Sequence, residues 1–353
     1  MIGPCPTARG GMASVIGTLL EHGYEDGGHC RFIATHVDGN RVRKAWRAGA
    51  ALATFAALLA RGRVALLHVH VASGISFWRK AAFIRLAQAG GCPVIFHLHG
   101  GEFRDFLEHR LNTRQHRFAL ALMGRCSAAF ALTEATARWL RESVGMSNVE
   151  VFPNPVAVPQ RDTVDLRRAR TTEILFLGRL EEKKGVFDLL HAFANVHRKI
   201  PDARLILGGD GDPAPIVALA TRLGLEHAVS LPGWLDPRQK AEVLQRAALF
   251  VLPSHHEQMP MSVLEAMASG TPVVATDVGA IPEMLVYCNS TCVVPVQQIA
   301  ALTASILSIM TDNFLTDTLA MQGLERIRSE YMVETVIHRL RRRYQELQHE
   351  KIS

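Results

Sequence analysis

A chain of 353 residues, 48% hydrophobic and 20% charged, has room for two ordinary domains and the make-up of a globular protein, which excludes a disordered or fibrous one. No run approaches the ~20 apolar residues of a membrane-spanning helix, and no basic-then-apolar leader opens the chain. The net charge of +6 is unevenly spread: 18 Lys and Arg stand against 10 Asp and Glu through residue 160, and 21 against 23 beyond it. An anionic substrate or surface is therefore expected at the first half, and without a recognisable nucleic-acid module no nucleic-acid partner is. Six cysteines, at 5, 30, 92, 126, 288 and 292, form no C-x-x-C pair and no zinc spacing, so reduced thiols and a cytoplasmic protein are expected.

Met1 to Pro4 reads as a short strand, followed by the loop Thr7 to Gly11 and a helix from about Met12. Gly10-Gly11 at a strand–helix junction lets a phosphate or sugar approach the backbone, although a plain turn uses the same residues. Arg41 to Ala60 is predicted helical, with Ala48 to Ala60 read as a core helix. Leu66 to Val71 is a strand whose His68 and His70 are read as packing or cleft lining. Ser76 to Lys80 opens another helix, and its Phe77, Trp78, Arg79 and Lys80 suit either a membrane–water boundary or a solvated face over core aromatics. Pro93 to Leu98 is a buried strand that carries His97 and delivers His99, Gly100 and Gly101 to its carboxyl end, with His97 and His99 on one face. The many histidines raise a metal site, but none shows i,i+4 ligand spacing and no metal is expected. A strand at Ala128 to Leu132 and a helix at Glu134 to Ser143 follow.

The three prolines of Val151 to Pro159 mark a hinge, and Gln160 to Thr172 is expected to continue it in solvent. After the strand Glu173 to Leu177, Arg179 and Lys184 stand five apart in one loop. There they can converge on a single anion, a planar fork beside a compact charge, which suits a diphosphate; a pair of solvated cations is the plainer reading. Lys183 is the weaker candidate for the part of Lys184. The next strand, Arg204 to Leu207, leads to Gly208-Gly209-Asp210-Gly211-Asp212. Two aspartates there would repel a pyrophosphate, which argues against NAD. Val229 to Trp234 is a further strand and turn.

Leu249 to Leu252 is a strand, Ser254 to Met259 a loop, and Pro260 is placed in the first turn of a helix with Met261, Leu264, Met267 and Ala268 on its buried stripe. Gly270 closes that helix, and Pro272 to Ala275 returns as a strand. Glu257 and Glu265 lie in this unit with seven residues between them. On one continuous helix they would point about 80° apart, but a helix starting at Pro260 leaves Glu257 in the loop, free to turn toward the same edge. Two acids can each hold a vicinal diol, and the helix-start amides can hold an anion. Phosphate plus diols describes a nucleotide sugar. A short strand at Cys292 to Val294 and helices, the last from Glu334 to Gln348, complete the chain.

The spacing Glu257-x7-Glu265 resembles the E-x7-E signature of retaining glycosyltransferases of family 4. The G-R-L and K-G elements at Gly178 to Leu180 and Lys184-Gly185, and the H-G element at His99-Gly100, resemble the same family. After the first acid the family often has Gly and an aromatic, where this chain has Gln258 and Met259. The resemblance implies an α/β GT-B fold of two Rossmann-like domains facing a central cleft. Residues 1–157 would bind acceptor and 158–333 the nucleotide sugar, with a C-terminal helix, about 334–353, crossing back to the first. It further implies that Glu257 holds the donor sugar and Glu265 the ribose, that His99 reaches the sugar end, and that Arg179 and Lys184 stabilise the departing diphosphate in place of a metal. Gly10, Gly11, Met259 and Met261 complete the implied donor site. The implied reaction is transfer, with retention, from a UDP- or GDP-sugar to an acceptor hydroxyl, on a lipid-linked or growing glycan as in bacterial exopolysaccharide assembly. No metal and no cofactor are implied. Peripheral contact with an anionic membrane is expected from the basic first half. A nucleotide-sugar epimerase and a non-catalytic sugar-nucleotide binding protein stand as alternatives; a phosphorylase would need a cofactor lysine signature that is absent.

Overall fold

The computed structural model describes residues 1–26, 30–37, 39–159, 171–288 and 291–349. The expected solvent run over 160–170 lies outside them. Two compact units form, one from Met1–Pro155 with Val333–Ser353 and the other from Val156–Met332.

The first unit carries six strands: β1 (Ile2–Pro4), β2 (Ile33–His36), β3 (Leu67–Val71), β4 (Val94–Leu98), β5 (Ala128–Ala131) and β6 (Val149–Val151). The second carries β7 (Glu173–Leu177), β8 (Arg204–Gly208), β9 (Val229–Gly233), β10 (Leu249–Leu252), β11 (Val273–Thr276) and β12 (Val293–Val294). Every pairing is parallel, in the orders β2-β1-β3-β4-β5-β6 and β12-β11-β10-β7-β8-β9. Parallel strands need helical crossovers on both faces. That is why β3, β4, β5, β10 and β11 are continuous apolar or aromatic runs, buried throughout. Each sheet reverses its winding once, between β1 and β3 and between β7 and β10. Ligands of such sheets bind beyond the carboxyl ends of strands at this switch point.

Three sequence expectations need correction here. The helix Arg41–Ala60 forms, but of its apolar stretch only Ala51 and Phe55 are fully buried, so it is a half-exposed cover. Phe77 and Lys80, offered to a membrane boundary, turn inward at 0% and 1% exposure, because the helix Ile75–Ala89 packs that side on β3 and β4. Cys288 and Cys292 are joined as a disulfide, their Cα atoms 5.7 Å apart, within bonding range although the spacing is not C-x-x-C. The last helix, Val333–His349, belongs to the first unit. There Tyr344 bonds Tyr24 and His68, Arg339 donates to the carbonyl of Val151, and Arg343 pairs with Glu150.

Candidate functional site

At the switch point of the second sheet, the loop after β7 meets the loop after β10. A short 3-10 turn, Glu182–Lys184, ends at Gly185 with φ +69°, and a Cβ there would stand 1.9 Å from the Pro253 carbonyl. Only glycine permits that approach. The contact places Lys184 beside the second loop, whose His255 amide donates to the Lys183 carbonyl at 2.9 Å. Lys184 Nζ then reaches Glu257 Oε1 at 2.5 Å, and Ser254 Oγ donates to the same oxygen at 2.9 Å. The Glu257 loop is fixed from behind as well. Gly279, at φ +59°, leaves room for the Glu257 and Gln258 carbonyls, which a Cβ would meet at 2.5 and 2.6 Å, and the Ala280 amide donates to the Gln258 carbonyl at 2.7 Å.

Glu265 lies in the helix Met261–Ala268 and accepts from Lys240 Nζ at 2.6 Å. Pro260 is the N-cap of that helix, with ψ 122°, rather than a first-turn residue. The cause is the tight loop preceding it, which keeps the backbone extended until Met261. Glu257 is therefore in the loop and Glu265 in the helix, each held by a different lysine. Both pairs are largely shielded, with side-chain exposures of 21% and 11% for Lys184 and Glu257, and 31% and 16% for Lys240 and Glu265. Met259 and Met261 are buried beside them. Arg179 is 70% exposed and pairs with Glu181 at 4.0 Å, and Lys183 pairs with Glu181 at 3.7 Å, whereas Lys184 pairs with Glu257. Lys240 gives no signal in the sequence: it stands in the helix Pro237–Arg246, outside any motif, and only the fold brings that helix to Glu265.

In the first unit Gly10, with φ +127°, precedes the helix Gly11–Glu21 beyond β1, and its missing side chain leaves the strand end open. His99 follows β4. Its Nε2 lies 2.7 Å from His70 Nδ1, while His68 Nε2 lies 3.1 Å from His97 Nδ1. The two pairs stack, with centroids 4.5 Å apart for His68 and His70. Burial pushes the pKa values of His68, His70 and His97 well down and that of His99 to about 3, so all four are neutral near pH 7. One ring nitrogen from each of His68, His70 and His97 falls within 4.8 Å of the others, a grouping made across strands rather than by i,i+4 spacing. Their rings are near-parallel, 14° to 33° apart, and His68 is bonded at both nitrogens, to Tyr344 and His97. His97 Nε2 is buried without a hydrogen-bond partner in a cluster otherwise held by these hydrogen bonds and ring contacts.

Two family models match the chain, Glycosyltransferase Family 4 over residues 9–158 and Glycosyl transferases group 1 over residues 163–326. Each model matches less than half of the chain and together they span most of it; the chain is similar to family 4 glycosyltransferases and has the GT-B fold. Among relatives, it is 26% identical to a glycogen synthase of Mycobacterium tuberculosis over 261 residues, 72% of this chain and 63% of that one. It is 27% identical to a phosphatidyl-myo-inositol mannosyltransferase of Mycobacterium leprae over 279 residues, 76% and 70% of the two chains. The match thus spans less than two thirds of the glycogen synthase. Among solved structures, sucrose-phosphate synthase from Thermosynechococcus elongatus superposes with a TM-score of 0.79 at 21% identity, covering 98% of each chain. Anabaena HepE in complex with UDP-glucose superposes with a TM-score of 0.74 at 18% identity, also covering 98% of each.

Proposed function

We propose that this family 4-like chain is a retaining, metal-independent glycosyltransferase that moves a sugar from a UDP- or GDP-linked donor to an acceptor hydroxyl. The observation that carries the proposal is the Lys184–Glu257 contact of 2.5 Å at the switch point of the second sheet, with the Lys240–Glu265 pair on the adjacent helix. Without donor, each acid neutralises a lysine. A nucleotide sugar offers what both partners want: a diphosphate for Lys184, and diols for Glu257 and Glu265. Exchange of one set of charge-assisted hydrogen bonds for another opens the site at little electrostatic cost. Arg179, exposed at the mouth of the same loop, can swing onto the diphosphate, and the two cations then carry the charge that develops on the leaving group. Transferase and synthase names among the relatives, and the UDP-glucose held by HepE, support this class over an epimerase.

His99, neutral and anchored by His70, serves in this reading as a hydrogen-bonding group toward the sugar rather than as an acid or base at neutral pH. Met259 and Met261 are the proposed donor-binding residues beside Glu257 and Glu265 in the second unit, and Gly10 and Gly11 those of the first. The acceptor is a lipid-linked or growing glycan, met by a cytoplasmic protein at the inner membrane face. Among the described residues no single helix is long and apolar enough to cross a membrane. Contact through the exposed Val42 and Trp46, with Arg43 and Lys44 beside them, would suffice. Thermal shift against a panel of UDP, GDP and their sugars, followed by donor hydrolysis without acceptor, tests the proposal. Nucleotide binding and slow hydrolysis in EDTA are expected. Strict dependence on Mg²⁺ or Mn²⁺ overturns the metal-free mechanism, and binding with no turnover under any acceptor favours a non-catalytic binding protein.

A further inference from the structure

The switch point of the first sheet, between β1 and β3, has a chemistry unlike that of the second. The helix Ile75–Ala89 begins just beyond β3, and Lys80 lies in its second turn, 1% exposed. Its ammonium donates to Ser76 Oγ, one turn back, at 3.1 Å. Arg79 beside it places Nη1 3.2 Å from His36 Nδ1, at the end of β2, and its Nε is buried with no hydrogen-bond partner. Among the described residues no carboxylate reaches either group, and the sequence holds no Asp or Glu at all between Asp38 and Glu102. Burial drags the Lys80 pKa down to about 7, and the Arg79 charge pushes the same way.

Such an arrangement is costly. A buried charge is normally paired and fully hydrogen-bonded, and here two neighbouring cations share one hydroxyl and one imidazole. In the second unit the lysines around the switch point meet glutamates at 2.5 and 2.6 Å. The first unit has the cations and lacks the counter-charge. It also offers backbone donors, since the helix starts at Gly74, φ +64°, with no side-chain cap. Ser76 and Arg79 remain partly exposed and mark the way in.

We propose that Arg79 and Lys80, with Ser76 and His36, form an oxyanion subsite in the first unit that takes a phosphate group carried by the acceptor. A guanidinium fork, an ammonium, a hydroxyl and helix-start amides supply donors for the three outer oxygens of a phosphate, more than a carboxylate can use. Only the assignment of that phosphate to the acceptor rests on the transferase function; the anion site stands on the unpaired cations. The phosphate arrives either on a soluble phosphorylated sugar or on a lipid headgroup, and both present the same group.

The test is calorimetric titration of the full chain at pH 7. Inorganic phosphate and glucose 6-phosphate serve as soluble probes, and phosphatidylcholine vesicles with and without phosphatidylinositol as the lipid arm. The informative variant is Ser76→Asp, which sets a carboxylate one helical turn from Lys80 and supplies the missing counter-ion from within. It is expected to raise the Tm and to weaken phosphate-bearing probes at least tenfold; Lys80→Met and Arg79→Gln should weaken them likewise. UDP or GDP binding, governed by Lys184, should be unchanged in all three. Selective loss for glucose 6-phosphate identifies the soluble source, and selective loss for phosphatidylinositol vesicles the lipid. Phosphate binding that survives Ser76→Asp and Lys80→Met, or is absent from the wild type in both arms, overturns the proposal. Phosphate binding by the wild type that the three variants weaken, in a chain that binds no nucleotide, would leave the subsite standing and sink the transferase function instead.

Discussion

Both sheets are parallel and each reverses its winding once, after β2 in the first and after β9 in the second, yet their switch points solve the problem of charge at a strand end in opposite ways. In the second unit the two lysines of the candidate site are paired with glutamates, Lys184 with Glu257 and Lys240 with Glu265. In the first, four histidines are kept neutral by burial, and Arg79 and Lys80 stand together without an acid. Paired charges that are only partly exposed can be re-paired by a ligand at modest cost. Unpaired ones store unfavourable energy until an anion arrives. On this contrast rests our proposal that the second unit handles the donor and the first captures an anion.

The largest effect that could break this contrast is on rate. Arg179→Ala and Lys184→Ala should each lower turnover by ~10²-fold or more, as the loss of an electrostatic donor to a leaving group typically does; steady-state kinetics with saturating donor would read it. Next, the two acids should separate. Glu257→Ala should act mainly on kcat, since only the sugar end changes charge in the transition state, whereas Glu265→Ala should mainly weaken nucleotide binding, by about tenfold. Equal effects on both parameters in both variants would erase the distinction between sugar end and ribose end.

Stability against pH sharpens the other side. Lys80 has a folded pKa of about 7 against an ordinary 10.5, so the folded state gives up its proton first, and stability rises with pH across that window. The penalty is fully present below pH 7. Lys80→Met should therefore be more stable than the wild type at pH 6, by a few kcal/mol at most, with the gain shrinking toward pH 10.5. Denaturant melts at three pH values decide it. The histidines work in the same direction at lower pH: their folded pKa values lie below 6.5, so stability falls as pH drops through 6.5, and for His99 continues falling to about 3. The smallest effect concerns membranes. Arg43→Glu with Lys44→Glu should weaken sedimentation with anionic liposomes by ~1 kcal/mol per residue, and high salt should do the same; binding indifferent to both would exclude that face.

Much of the second unit is legible in the sequence because most of its candidate residues sit in or beside loops bracketed by strong punctuation. Pro253, Pro260, Gly270 and Pro272 mark where β10 stops, where the helix starts and stops, and where β11 starts, and Gly185 marks the close approach that brings Lys184 to Glu257. Sequence order alone could not supply Lys240, whose partner lies 25 residues away on another helix. The first unit is harder to read, because its chemistry hides in regular elements. His68 and His70 alternate like core residues, and Lys80 follows Phe77, Trp78 and Arg79 in a run that looks amphipathic whichever side faces in. Only packing decides that Phe77 and Lys80 go inward. The Cys288–Cys292 bond is hidden for a related reason, since its spacing of four matches no redox or zinc motif.

Nucleotide affinity tests the division of labour most directly. Calorimetry with UDP and GDP on the wild type, Lys184→Ala, Glu265→Ala and Lys80→Met should show one nucleotide diphosphate bound per chain. Affinity should fall tenfold or more in the first two variants and stay unchanged in the third. Nucleotide binding that Lys80→Met weakens while Lys184→Ala and Glu265→Ala leave it intact would place the donor in the first unit and contradict that division.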